Sequence, residues 1–231
     1  MYNPGICTEK CYHRIFRKME ENGIVPTLFE YNLNDATGYN NPVSKSIAEE
    51  LMVFFAAHRL FKWAYTHNGC EARADAVCVL LDEWGIPNYK AWVFSGRYLK
   101  NHVGELKQNW KYHVAASFPV LEDGQLVYYV LDPATSPGLQ TLYGWAANVT
   151  DYAHSYHFLK EPQFYIFHDK KITRANWHER NRRNRKWMIQ GLANVNGLSA
   201  KGKAELTFNK GRIKNTAAAF ERLKKQRPSF L

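Results

Sequence analysis

The clearest structural signal in this sequence is a β-hairpin near the middle of the chain. Two stretches, residues 111–120 and 125–131, are rich in the aromatic and β-branched side chains that favour strands. Asp123 and Gly124 lie between them, and Asp-Gly is a favoured central pair of a two-residue hairpin turn. The sequence therefore predicts an antiparallel strand pair that any fold of this chain must contain.

The turn also predicts the register of the hairpin. If the Asp-Gly pair is central, Glu122 faces Gln125, and His113 becomes a diagonal neighbour of Asp132 on one face. At that spacing a carboxylate can reach an imidazole ring. Pro133 supports this placement, because a residue that precedes proline is pushed into extended geometry. A register slip of one residue would place the two side chains on opposite faces, so the prediction depends on the turn.

The same register assigns the other hairpin side chains to two faces. Ala115 and Ser117 share the face of His113, and their small size would let a helix come close. We therefore expect the helix that begins at Cys70 to pack on this face. The opposite face carries the larger side chains Trp110, Tyr112, Val114 and Phe118.

A helix is predicted directly after Gly69, a residue that permits unusual backbone angles. Cys70 is its first residue, and unpaired N–H groups at a helix start are expected to lower the pKa of a thiol. Free cysteine is also a common buried hydrophobe, and Cys78 is better explained in that way. Gly85 and Pro87 are predicted to end this helix. Its apolar residues recur at helical spacing: Ala74, Val77, Cys78, Leu81 and Trp84.

Weaker patterns cover the rest of the chain. Ser46 and Glu49 have capping-box spacing and predict the start of another apolar helix, which would pack beside the Cys70 helix. Further helices are predicted over 9–22, 139–150, 176–192 and 217–225, strands over 89–94 and 164–167, and loops over 24–43, 95–109 and 193–213.

The length suits one domain with appendages. We predict an N-terminal helical region at 1–64 that packs on the core, a catalytic core at 65–170, and a basic helical extension at 171–231. The net charge of +10 belongs to this extension, because residues 170–231 contain 17 Lys and Arg against 3 Asp and Glu, whereas residues 1–169 contain 14 against 18. Such a run is typically a solvated helix face or a contact for an acidic protein partner. Nucleic acid binding is not favoured, because no nucleic-acid-binding signature accompanies the charge.

The cysteines do not indicate a metal site or a disulfide scaffold. Cys7 and Cys11 could pair or could share one face of a helix, and the sequence leaves both readings open. No apolar run is long enough to predict a transmembrane segment, and the N-terminus does not have the pattern of a secretory signal. Cytoplasmic residence and delivery as an effector by a non-classical route are both compatible with these features.

Three residues suggest thiol chemistry. A cysteine nucleophile needs a base that accepts and returns a proton near neutral pH, and histidine is suited to that. The histidine needs a partner that fixes its tautomer, and a carboxylate does this. Cys70, His113 and Asp132 fit these roles in chain order. By itself, His113 is also explained as a sheet histidine with satisfied hydrogen bonds.

Three segments carry these residues, namely GCEARA at 69–74, WKYHVA at 110–115 and VLDP at 130–133. In order and spacing they resemble the three blocks of the bacterial protein-glutaminase family, over roughly residues 65–170. The resemblance implies an α+β fold with a papain-like or transglutaminase-like core, in which an antiparallel sheet packs against the helix that carries the nucleophilic cysteine. It also implies deamidation of glutamine side chains in protein substrates.

The family resemblance implies a role for each residue of the triad. Cys70 would be the nucleophile that forms a thioester, His113 the general acid and base, and Asp132 the residue that orients His113. The backbone N–H of Cys70 would hold the oxyanion together with a second donor, for which Asn68, His67 and Trp110 are near enough in sequence. This chemistry requires no metal and no organic cofactor.

Other functions remain open on the sequence. The same triad performs transglutamination and peptide hydrolysis, and a basic binding module with an idle triad belongs to another class altogether. The best-known family members are exported and contain extra cysteines that this chain lacks, so their localisation does not transfer. Residues 1–60 and the basic extension resemble no segment that we can name, which leaves substrate choice open.

Overall fold

The computed structural model describes residues 42–65, 69–99, 110–149, 155–160, 162, 165, 177–196 and 210–231. Within these residues the fold is a mixed α+β arrangement of one sheet with helices on both of its faces. The strands are β1 (Val43–Ser44), β2 (Tyr89–Leu99), β3 (Trp110–Glu122), β4 (Gln125–Leu131), β5 (Gln140–Thr141) and β6 (Ser155–Lys160). The helices are α1 (Lys45–Ala57), α2 (Cys70–Glu83), α3 (Leu142–Val149), α4 (Trp177–Asn196) and α5 (Lys210–Lys224), with a 3-10 turn at Arg59–Phe61.

The hairpin β3–β4 has the predicted register. Glu122 pairs with Gln125, and the ladder continues to the pair of Ala116 and Leu131. The turn residues have positive φ angles, 50° at Asp123 and 78° at Gly124, as a tight hairpin turn with matching twist requires. The turn chemistry therefore set the register, and the register set the faces.

The sheet is larger than the sequence predicted. Its strand order is β5-β4-β3-β2-β6. The short strand β1 pairs in parallel with the C-terminal end of β3. β2 extends to Leu99 and therefore includes residues predicted as loop. β6 was not predicted, and it pairs along β2 from Lys90 to Ser95. The predicted strand over 164–167 is wrong at Tyr165, which lies outside any strand, and its other residues lie outside the described residues.

Helix α2 packs on the opposite face of the sheet from the one predicted. Its buried side chains share the main core with Ala116 and Phe118, and Ala74 packs against Val114. The face of Ala115 is covered instead by α3, through Trp145. Small side chains on the strand did not predict which face the helix covers. Small side chains on the helix, here Ala72, Ala74 and Ala76, let the helix approach a strand face with larger side chains just as closely.

Helices α1, α2, α4 and α5 contribute to one continuous hydrophobic core. Phe55 of α1, Leu80 of α2, Leu192 of α4 and Phe220 of α5 are all fully buried in it. The segments on either side of the predicted catalytic region therefore bury apolar side chains against that region. The division into 1–64, 65–170 and 171–231 remains a prediction.

Close approach of α4 to α2 depends on Gly191. A Cβ atom at this position would lie 2.6 Å from the Cβ of Ala72 and 3.3 Å from the Tyr165 hydroxyl. Real side-chain contacts are not that short, so only glycine lets the two helices meet here. The contact holds α4 against the first turns of α2.

Several other predictions can be compared with the structure. Helix α1 starts two residues earlier than expected, because Ser44 and not Ser46 accepts the capping hydrogen bond from the Ile47 N–H. Helices predicted over 139–150, 176–192 and 217–225 exist with shifted ends, and α5 begins at Lys210 within a predicted loop. The predicted helix over 9–22, the pair Cys7 and Cys11, and residues 24–41 of the loop predicted over 24–43 lie outside the described residues. The loop prediction is wrong at Val43, which begins β1. Among the described helices, none has the length and apolar character needed to cross a membrane.

Candidate active site

His113 and Asp132 form a buried pair where the β3–β4 ladder ends. Asp132 follows Leu131, the last paired residue of β4. Its Oδ2 atom lies 2.7 Å from Nε2 of His113, and both residues are only 3 % exposed. The contact that the hairpin register predicted is therefore present, while the catalytic roles of the two residues remain a prediction.

Two further side chains hold the same carboxylate oxygen. The Thr135 hydroxyl donates a hydrogen bond to Asp132 Oδ2 at 2.5 Å, and the indole N–H of Trp145 donates to it at 2.9 Å. The Trp145 ring also lies beside the His113 ring, with centroids 5.8 Å apart. Helix α3 and the turn after β4 thus fix both members of the pair.

These contacts determine the charge state of Asp132. Burial by itself would raise the pKa of this carboxyl group. The neighbouring His113 and the hydrogen bonds from His113, Thr135 and Trp145 act in the other direction and bring the pKa below its usual value. Asp132 is therefore held as a carboxylate, the form that stabilises a protonated imidazole.

Cys70 begins helix α2 after a glycine that no other residue could easily replace. Gly69 has a φ of 89°, in the left-handed region, and a Cβ there would lie 2.6 Å from Cγ2 of Val195. The N-cap has no side chain to accept hydrogen bonds, so the N–H groups of the first turn are not capped in this way. The backbone conformation thus presents both a thiol and helix-start N–H groups at one place.

The Cys70 side chain lies against β3. It packs beside Val114 and Tyr112, and its sulfur has a hydrogen bond with the Val114 backbone. The thiol also donates to Oε2 of Glu71 at 3.4 Å, and the Tyr112 hydroxyl donates to Oε1 of the same carboxylate. Cys70 therefore reaches the sheet one residue away from His113, at the point where β4 leaves β3.

The expectation that the helix start lowers the pKa of Cys70 is wrong. Burial raises the pKa of this thiol well above its usual value, and the negative charge of Glu71 raises it further. Arg73 and the Val114 backbone act in the opposite direction, but they do not overcome burial. The resting side chain is therefore a protonated thiol at neutral pH.

Arg73 places a positive charge beneath this cluster. It is 3 % exposed, and its guanidinium donates to the carbonyl oxygen of Tyr65 at 2.9 Å. Its Cζ atom also lies 5.7 Å from the centroid of the Trp63 ring. Arg73 interacts electrostatically with Cys70, Glu71 and Asp132, so it joins the thiol side of the site to the carboxylate side.

Of the three residues predicted for substrate or oxyanion binding, only Trp110 is among the described residues. His67 and Asn68 lie outside the described residues. Trp110 is the first residue of β3 and pairs with Leu99. Their proposed roles remain predictions.

Sequence reasoning missed the residues that support the site. Trp145 and Thr135 had no motif that connected them to Asp132, although Thr135 follows within three residues and could have been recognised as a local turn partner. Glu71 and Arg73 were present in the first family block but had no role there. Their contacts with Cys70 and Tyr112 depend on which strand the helix faces, and a sequence does not reveal this.

The described residues form a mixed α+β protein in which a helix-start thiol contacts strand β3 at the residue that follows His113, and His113 and Asp132 form a buried pair. Residues 36–149 match the model of a protein family described as Glutaminase. This match confirms the protein-glutaminase resemblance predicted from the sequence, and the matched segment contains Cys70, His113 and Asp132.

Solved structures with a partial likeness were also found. A crystal structure of pro-protein-glutaminase is 18% identical to this chain, with a TM-score of 0.48; the alignment covers 66% of this chain and 62% of the other. A protein-glutaminase crystal structure is 19% identical with a TM-score of 0.45, covering 61% of this chain and 84% of its own. The NMR structure of protein-glutaminase from Chryseobacterium proteolyticum is 16% identical to this chain, with a TM-score of 0.44; the alignment covers 64% of this chain and 89% of the other. A search of curated protein sequences found no match.

Proposed function

We propose that this protein is a cysteine-dependent hydrolase that deamidates glutamine side chains in proteins. The observation that carries the proposal is the hydrogen bond between the Cys70 sulfur and the backbone of Val114, the residue that directly follows His113 in β3, whose ring is paired with Asp132 at 2.7 Å. The match of residues 36–149 to the glutaminase family supports the same reaction. The core of the fold would then be of the papain-like or transglutaminase-like kind.

The first step requires transfer of the thiol proton. Because Nε2 of His113 is engaged by Asp132, the other ring nitrogen, Nδ1, is the atom that would accept this proton. The raised pKa of Cys70 means that the thiolate forms only when the imidazole takes the proton. The buried carboxylate of Asp132 stabilises the imidazolium that results.

The thiolate then attacks the carbon of the glutamine carboxamide. The C–S bond forms, the carbonyl oxygen becomes an oxyanion, and the Cys70 N–H at the helix start donates to it. When the tetrahedral intermediate collapses, the C–N bond breaks and His113 gives its proton to the leaving nitrogen, so ammonia departs and a thioester remains. A water molecule that loses a proton to His113 hydrolyses this thioester, which yields glutamate and the free thiol.

The basic extension would bring the protein substrate or an acidic partner to the enzyme. Helices α4 and α5 bury Leu192 and Phe220 in the core, so they are firmly attached. Their outward faces carry exposed cations, among them Arg183, Lys186 and Arg222. Such a surface attracts acidic proteins at low ionic strength and loses that attraction as salt rises.

The test is ammonia release from an unfolded, glutamine-rich protein such as casein, with intact-mass measurement of the product. We expect release that depends on Cys70, a gain of about one dalton per event, and neither cleavage nor crosslinking. Cys70→Ala is the inactive comparison, and Glu83→Gln, at the other end of the same helix, is the matched control that should keep the rate.

The same measurement separates the alternative functions. Crosslinked product in the presence of an amine would indicate a transglutaminase, and new chain termini would indicate a protease. No Cys70-dependent reaction of any kind would contradict the proposal and favour a binding module with an idle triad.

A further inference from the structure

Glu71 is an unusual neighbour for a nucleophilic thiol. It follows Cys70 directly in the first turn of α2, and its Oε2 atom lies 3.4 Å from the cysteine sulfur. A carboxylate in this position disfavours the thiolate, since it places a second negative charge beside the first. A side chain that opposes activation of the nucleophile needs another reason to be there.

The carboxylate is held in a fixed orientation. The Tyr112 hydroxyl of β3 binds Oε1, which leaves Oε2 directed at the sulfur. Arg73, on the same helix, supplies a compensating positive charge. The acceptor oxygen is therefore positioned at the reacting atom by two neighbours and is not simply a surface carboxylate.

Glu71 Oε2 is close enough to the sulfur to be within reach of groups bonded to the carbon that Cys70 would attack. In the proposed mechanism the carbonyl oxygen of a glutamine carboxamide goes to the helix-start N–H, and of the two remaining groups, Cγ and NH₂, only the NH₂ group can form a hydrogen bond with the carboxylate. A primary amide nitrogen carries two N–H donors, and a carboxylate is a strong acceptor for them. The product glutamate has no N–H in its side chain and carries a negative charge instead.

We propose that Glu71 is the residue that selects a primary carboxamide, by accepting a hydrogen bond from its NH₂ group and repelling the carboxylate of the product. This inference rests on the proposed deamidation and adds how the site recognises the reacting group. The Tyr112 hydroxyl acts as a positioning group for Glu71. Recognition of this type is effective because an analogue without the donor leaves a polar group of the site unpaired.

The test compares two substrates in the full chain, a peptide with a glutamine and the same peptide with the γ-methyl ester of glutamate. Both can acylate Cys70, but the ester has no N–H to donate. Glu71→Leu should lower kcat/KM for the glutamine peptide by about ten- to a hundred-fold, the loss expected for one charge-assisted hydrogen bond. The same change should not lower kcat/KM for the ester and should raise it, because the carboxylate that the ester left unpaired is gone.

Two variants sharpen the assignment. Glu71→Gln keeps a neutral acceptor and should lower the amide rate by about three- to ten-fold, less than Glu71→Leu. Because it removes the negative charge, it should also strengthen inhibition by the glutamate product peptide by about five-fold or more. Tyr112→Phe should change the amide-to-ester ratio in the same direction as Glu71→Gln, and Glu83→Gln should not change it.

The outcomes distinguish this inference from the function on which it rests. If the wild-type protein shows no Cys70-dependent turnover of either substrate, deamidation itself is wrong. If the wild type turns over both substrates but Glu71→Leu changes the amide and ester rates equally, Glu71 does not select the amide. Faster amide turnover in Glu71→Gln would also overturn the inference and would make the carboxylate a brake on the thiol.

Discussion

Helix α2 contributes to two clusters that combine a thiol, a carboxylate and a cation, and only the first contains a residue of the proposed triad. The two lie about two turns apart on the same helix, and they have the same kinds of charge. Their difference therefore shows which features of a site matter beyond its composition. The first cluster is Cys70, Glu71 and Arg73, and the second is Cys78, Asp75 and Lys90 of strand β2.

The second cluster is closed. Lys90 Nζ lies 2.6 Å from Asp75 Oδ1, with side chains that are 1% and 7% exposed. Cys78 donates to the carbonyl oxygen of Tyr89 at 3.4 Å, and burial raises the pKa of its thiol far above the usual range. The carboxylate is bound by a lysine, and the thiol donates to a backbone oxygen. This cluster joins α2 to β2.

The first cluster is partly exposed and lies at a helix start. Cys70 has helix-start N–H groups beside it, and its sulfur contacts the backbone of Val114, which follows the proposed base His113 in β3. A thiol with charges around it is thus not a site by itself. The additional requirements are access, a titratable base and backbone donors that are not used within the helix.

The largest expected effect separates the two thiols directly. Cys70→Ser should reduce turnover to the background rate, a loss on the order of 10⁶-fold for a nucleophile, while the fold is kept. Ammonia release and the urea midpoint measure the two quantities. Alkylation of Cys70 in the wild type should quicken as pH rises above neutral, because its raised pKa leaves little thiolate at neutral pH. Turnover by Cys70→Ser would mean that the wrong thiol has been assigned.

Asp132→Asn should have the next largest effect. It removes the charge that orients and stabilises the His113 imidazolium, and a loss of about 10³–10⁴-fold in kcat is expected. The amide is similar in size, so circular dichroism should remain that of the wild type. An unchanged kcat would remove Asp132 from the proposed triad.

Lys90→Met tests the closed cluster. It leaves the Asp75 carboxylate buried without its cation, and we expect a loss of about 3–5 kcal/mol in the free energy of unfolding. Turnover per folded molecule should be nearly unchanged. Replacing both partners, as Lys90→Met with Asp75→Leu, should recover much of this stability, and a failure to do so would show that the pair has a role beyond mutual neutralisation.

Trp145→Phe should have a smaller effect on the open site. It keeps an aromatic ring near His113 but removes the N–H donor to Asp132, and kcat should fall about ten-fold. Asp132 has a lowered pKa in the folded protein, so its stabilising effect is present above the pKa of the unfolded chain and is lost as pH falls through the folded value.

Loss of the Trp145 donor raises that folded pKa, so acid unfolding of Trp145→Phe should begin at a higher pH than in the wild type. Acid titration followed by fluorescence or circular dichroism measures the midpoint. Thr135→Val removes the other neutral donor and should move the midpoint in the same direction. An unchanged midpoint in both variants would show that these donors do not support the carboxylate.

Cys78→Ser should have the smallest effect. The hydroxyl can still donate to the Tyr89 carbonyl, but it fills less space than the thiol, and we expect a loss of about 1 kcal/mol in unfolding free energy. Ammonia release should be unchanged. A large fall in rate would connect the closed cluster to catalysis and end the distinction between the two clusters.

Local sequence determined the hairpin and the His113–Asp132 contact. The register followed from Asp123 and Gly124, because a two-residue turn permits a single pairing of the strands that it joins. The helix that begins at Cys70 also followed from local pattern, as did the family block around it. These features depend on residues that are near one another in the chain.

The tertiary structure decided the rest. Which face of β3 receives α2, and hence which groups surround Cys70, depends on packing between distant segments, and the sequence prediction was wrong on this point. The prediction of a lowered pKa for Cys70 was wrong for the same reason. Burial against β3 raises this pKa by more than the N–H groups at the helix start lower it, and the burial exists only where the helix and β3 meet. Trp145 donates to Asp132 from helix α3, and this hydrogen bond depends on α3 packing back onto the face of the sheet that carries His113.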